Sequence, residues 1–275
     1  MNPATLSWTS KPFAFLRRDF KTEVSYRLSF LSQFAGIFFS VVMFYFIAVL
    51  FGEAASPYLT AYGGDYFPFV LIGIAFYRYL GVALSSFSST LREGQVTGTL
   101  ETMLVTPTRP LSILVYSSQW SFLHATYEVL LYLILGVVFF GFRIGQANVV
   151  SGLVVLILTI LSFSSFGILS AAFVLVYKRG DPISFFFGPL SALLGGVYYP
   201  VTVLPEILQK GSACLPLTYS LRAMRHAILQ GASLAELGMD ITALALFALV
   251  GIPLSLIVFS KALRRAKEDG TLLQY

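Results

Sequence analysis

Long apolar runs alternate with short polar intervals along this chain. Six runs reach the ~20 residues that a bilayer-crossing helix needs: 28–51, 67–89, 111–141, 149–177, 183–203 and 241–260. Gly195, Gly196 and Pro200 interrupt the fifth. Ahead of the first run, Phe13, Leu16, Phe20 and Val24 recur at helical spacing, and Arg17, Arg18, Lys21 and Arg27 fall largely elsewhere on the wheel. This predicts an amphipathic helix over 11–27 in the membrane interface. Between the last two runs, Pro205 and Pro216 suit the first turns of two short helices, with Leu217, Leu221, Met224 and Ile228 on one face of the second. Neither is long enough to cross, so 204–230 reads as a re-entrant or interfacial hairpin. Such backbone is tolerated at membrane depth only under cover of protein or water. Tyr198 and Tyr199, next to Pro200, suit an outer aromatic belt. The expected fold is an all-α integral membrane protein of six spans, one domain over residues 1–275.

Composition supports this. The 275 residues are 57% hydrophobic and 11% charged, with mean hydropathy +0.80. Soluble domains carry about 25% charged residues, so much of this surface faces lipid. The net charge is +5, without a tract basic enough for nucleic acid. The single Cys214 excludes an intrachain disulfide. The histidines and the cysteine lie apart, without zinc-ligand spacing. Charges interrupt the first 27 residues, unlike a signal peptide.

The placement of charge orients the chain. Lys11, Arg17, Arg18, Lys21, Arg27, Arg92, Arg109, Lys178, Arg179, Lys261, Arg264, Arg265 and Lys267 flank one side; Arg143, Lys210, Arg222 and Arg225 flank the other. The bias predicts cytoplasmic termini and a cytoplasmic 90–110 interval. An even number of crossings agrees.

The 90–110 interval is a polar island with glycines, carboxylates and a closing Pro107 and Pro110. Gly98 suits a helix cap, which puts Glu101 in the first turn, where a carboxylate favours the helix dipole. The plain alternative is an ordinary capped turn between spans. The run Glu93, Gly94, Gly98, Thr99, Leu100, Glu101, Thr106, Pro107 resembles the intracellular loop of permease subunits in the type-2 ABC exporter family. The segment from Leu215 to Tyr219, around Pro216, with Arg222 and Arg225 beyond, is also similar to that family, as is the layout of nearly the whole chain.

The resemblance implies that the loop forms a coupling helix docked on a cytoplasmic ABC ATPase subunit. It implies two permease protomers, as a homodimer, with two ATPase copies. ATP and Mg would sit on the partner, and this chain would bind no cofactor. The chain lacks the Gly-Lys dipeptide of a phosphate-binding loop. By the same resemblance the complex lies in the cell (inner) membrane among its lipids, and spans one, two and five line the path. The cargo would be hydrophobic, lipid or lipid-linked glycan, with multidrug efflux as the alternative.

Three ionisable residues fall inside runs: Arg78, His124 and Glu128. Intramembrane charges are costly and usually paired or functional. At 1.5 Å per residue, Arg78 lies about 16 Å and Glu128 about 20 Å below the outer ends of their spans. The depths predict an Arg78–Glu128 pair, with His124 on the same face as Glu128. It neutralises two charges and fixes helix register, or it contacts substrate or protons. A membrane-embedded enzyme is the rival from another class; His124 and Glu128 are its only candidates, and no serine motif accompanies them. A scaffold that recruits a partner through 90–110 is a further rival. Arg222 and Arg225, beside His226, read as a basic strip facing headgroups or steering an anionic substrate.

Overall fold

The computed structural model describes residues 10–25, 27–96, 98, 110–178 and 180–269. Among these residues there is no strand. The helices are α1 (Ser10–Ser25), α2 (Arg27–Ala55), α3 (Tyr66–Val96), α4 (Pro110–Phe140), α5 (Val149–Tyr177), α6 (Pro182–Leu194), α7 (Glu206–Ser212), α8 (Pro216–Leu229) and α9 (Gly238–Glu268). Five of them, α2, α3, α4, α5 and α9, are long and apolar enough to cross a membrane.

Local chemistry sets the boundaries. Asn148 caps α5 by accepting the Ser151 N–H at 3.1 Å, and Lys178 closes that helix in the left-handed region at φ 56°. Asp181 caps α6 through the Ser184 N–H, with Pro182 in the first turn.

The fifth predicted span differs. Where the pattern predicts 183–203, the structure has the 13-residue α6, about 20 Å long and short of a ~30 Å hydrocarbon core. The glycines and proline explain the stop. Gly196 takes φ +81°, which side chains resist. A β-carbon on Gly195 would stand 2.4 Å from the Ser191 carbonyl oxygen and 2.9 Å from Leu217. Pro200 then leads into a 3₁₀ turn at Val201–Val203.

The core centres on α3, the most buried of the long helices. Its side chains Leu71, Ile72, Tyr79 and Leu80 are fully enclosed. Small residues let α5 approach it: a β-carbon on Gly167 would lie 1.9 Å from the Ala83 carbonyl oxygen. Close backbone contact of this kind is the usual glue between helices in lipid. Helix α9 packs on α5, where the Ser162 hydroxyl donates to the Leu244 carbonyl at 2.8 Å. Helix α2 is peripheral and leaves Phe39, Met43, Phe46 and Leu50 exposed.

The bundle has two distinct ends. At the terminal end, α1 lies against α4 through Phe15–Tyr116 and Phe20–Trp120 ring contacts, with centroids 5.9 and 5.7 Å apart. Phe15 and Phe20 thus meet α4, while Phe13 stays 68% exposed. At the opposite end, the α7–α8 hairpin covers the loops. The Asn148 N–H donates to the Ala227 carbonyl and the Gln230 amide to the Ala61 carbonyl. The predicted hairpin over 204–230 corresponds to α7 and α8.

Candidate functional site

Helix α3 is 31 residues long, a rod of about 46 Å, and it carries three polar groupings at successive depths. The deepest joins Arg78 of α3 to Glu128 of α4. Arg78 Nε donates to Glu128 Oε2 at 2.9 Å and Nη2 to Oε1 at 3.0 Å. Glu128 is almost wholly buried, while half of the Arg78 side chain is exposed. His124 Nδ1 lies 3.6 Å from Glu128 Oε1. Sequence reasoning missed a further member: the Gln33 amide on α2 also donates to Glu128 Oε1. The cluster therefore ties the peripheral α2 to the core. At the next residue of α3, the Tyr79 hydroxyl donates to Thr126 Oγ1 at 2.5 Å, pinning α3 to α4 a second time.

At the terminal end, α3 continues past its predicted limit of residue 89 to Val96. Glu93 and Gly94 are therefore helical, with Glu93 exposed and Gly94 buried. Gly98 takes φ +67° and its N–H bonds the Gln95 carbonyl at 3.2 Å. That is a helix stop, so Gly98 closes α3; the helix predicted to begin after it falls outside the described residues. Thr99, Leu100, Glu101, Thr106 and Pro107 lie outside the described residues.

Beside this end sits a carboxylate that the sequence reading passed over. Asp181 Oδ2 accepts from Ser88 of α3 at 3.1 Å, from Ser184 of α6 at 2.6 Å, and from Ser170 of α5. One side chain thus fastens three helices. Burial raises its pKa, but the hydroxyl and backbone donors outweigh that and hold it below the ordinary aspartate value. Its signal in the sequence was the Asp-Pro step, a cap followed by a first-turn proline.

The third grouping lies at the hairpin end, and it corrects the picture of a basic strip. Arg225 is only 2% exposed. Its Nε donates to the Phe69 carbonyl at 3.1 Å, Nη1 to Gly196 at 2.8 Å and Nη2 to Val197 at 3.1 Å. The guanidinium lies over the Phe69 ring, 3.4 Å from its centroid. Burial pushes it down to about 9, which leaves it charged at neutral pH. Arg222 pairs with Asp240 of α9, Nε to Oδ1 at 2.9 Å. Arg225 faces the fold and Arg222 stays 39% exposed at its side chain; the partners of both come from segments that helical spacing does not reveal. Among the aromatic-belt candidates, Tyr198 stacks on Phe44 at 5.9 Å, and the Tyr199 hydroxyl donates to the Leu193 carbonyl at 2.6 Å. Pro200 is buried and Pro216 opens α8.

Long apolar helices packed through small residues, with a buried charge pair at mid-depth, define a multi-pass helical membrane protein. The sequence model of the ABC-2 type transporter family matches residues 13–229, most of the chain, and the chain belongs to that family. The match runs from α1 to the last residue of α8. Comparison with curated proteins gives no match. Membership makes the chain the membrane permease subunit of an ABC transporter, without an ATPase site of its own.

Proposed function

We propose that this chain is the permease of an ATP-driven exporter for a hydrophobic, lipid or lipid-linked glycan substrate. A separate cytoplasmic ATPase would power it through the 90–110 segment. The observation that carries the reading is the continuity of α3. One unbroken helix bears the Arg225 clamp at Phe69, the Arg78–Glu128 pair and the exposed Glu93. A push on its terminal end would move all three together. The Asp181 knot would pass the same displacement to α5 and α6. This supports a rigid-body rocking transition.

In this reading the terminal end is cytoplasmic and the hairpin faces outward, as the Lys and Arg bias requires. Helix α6, with the irregular 195–203 segment after it, makes the sixth crossing. Two permeases and two ATPases form the complex in the cell membrane. The exposed apolar residues of α2, together with Phe185 and Phe186 of α6, supply surface for a second copy.

The test is co-expression with a cytoplasmic ABC ATPase subunit and purification in nanodiscs, wild type beside Glu101→Arg. Co-elution and ATPase activity that the substitution weakens would support coupling. A wild-type chain that retains no ATPase would sink it.

A further inference from the structure

Between α7, α8 and the irregular segment that follows α6 lies a cavity of about 280 Å³. Its walls include Tyr62, Thr202, Gln209, Thr218, Arg222 and Arg225. Arg225 gives it an electropositive lining. Arg225 has five N–H donors, of which three serve the carbonyls above. Among the described residues no carboxylate pairs with it, whereas Arg222 is neutralised by Asp240. A buried cation without a counter-ion is expensive, and this one borders open space. The flank of helix α8 forms one wall of the cavity, with Thr218, Tyr219, Arg222 and Arg225 along it.

We propose that this cavity binds a phosphate group carried on a small polar body, such as glycerol phosphate. The volume is at the small end of ligand pockets, so it admits a headgroup and excludes a whole lipid. The anion completes the charge balance of Arg225. Tyr62 and Tyr219 supply the aromatic part of the wall. Burial holds the Tyr62 hydroxyl above its ordinary pKa, so it remains a hydrogen-bond donor at neutral pH. The site is independent of ATPase coupling and goes beyond the export reading. The phosphate has two sources, a lipid headgroup in the adjoining leaflet or a water-borne solute.

The full chain in maltoside micelles, which contain no phosphate, allows the test by titration calorimetry. One arm adds glycerol 3-phosphate. The other adds dihexanoyl phosphatidylglycerol below its micelle concentration. Ala213, on the cavity wall and exposed, permits a filling variant, Ala213→Phe, that leaves the arginine clamp intact. Arg225→Gln removes the charge itself. Saturable binding, weakened at least tenfold by Ala213→Phe and by any Arg225→Gln protein that folds, supports the site. Binding of glycerol 3-phosphate assigns a water-borne source, and binding of the lipid alone assigns the leaflet. Binding in neither arm overturns the proposal. So does binding that Ala213→Phe leaves unchanged while its melting profile matches wild type.

Discussion

Arg78 on α3 and Glu128 on α4 meet in a two-pronged ion pair, 2.9 and 3.0 Å, at mid-depth in the bundle. Glu128 is 2% exposed at its side chain, so the arginine is what makes its charge tolerable. Breaking a buried pair from one side is much costlier than replacing both partners by apolar residues. Arg78→Met is expected to destabilise the protein by about 3 kcal/mol. Arg78→Met with Glu128→Leu is expected to recover most of that loss. Denaturation in detergent across the four members of the cycle measures it. A double variant no more stable than Arg78→Met would show that the two residues act separately.

The depth of that pair was legible in the sequence because a straight helix converts residue number into height. Gln33 was not, since it arrives from a different helix, 95 residues away from Glu128. The hairpin arginines show the same limit. Spacing put Arg222 and Arg225 near one another on α8, but their partners, Asp240 and the carbonyls of Phe69, Gly196 and Val197, are set by tertiary approach. The long spans were readable from apolar runs alone. The fifth run reads as one continuous stretch, whereas its helix ends at Leu194, because hydropathy does not register a left-handed glycine such as Gly196.

Gly73 gives the second prediction. A β-carbon there would lie 2.1 Å from the Val197 carbonyl oxygen and 2.7 Å from Arg225 Nη2. The first neighbour is backbone, so the clamp itself must shift. Gly73→Ala is expected to cost about 1–3 kcal/mol, as overpacking does. A melting temperature equal to wild type would show that the carbonyl clamp is loose.

Asp181 sets a pH dependence. Its folded pKa lies below the ordinary aspartate value of 3.8. Its contribution is therefore complete above that value and is lost as pH falls through the lower, folded value. Asp181→Asn removes the contribution at neutral pH. The stability gap between wild type and Asp181→Asn should be constant from pH 8 to about pH 5 and narrow in stronger acid. Melting curves of both proteins across that range provide the measurement; a gap that widens on acidification contradicts the assignment.

Gly98 offers a test of how the α3 terminus is used. Its φ of +67° is open to glycine, tolerable for asparagine and strained for a β-branched residue. Gly98→Val should cost about 1–2 kcal/mol locally or redirect the chain that leaves α3 towards Thr99. Gly98 is exposed, so the bundle core has no reason to suffer. The expected result is a melting temperature near wild type with reduced co-elution of the ATPase subunit. Gly98→Asn should behave as wild type in both measurements, because it keeps the left-handed stop. Equal co-elution for all three proteins would mean that the exit angle from α3 has no part in docking. Loss of the bundle's stability with Gly98→Val would place the glycine in the fold's own support, and coupling would then have to enter elsewhere.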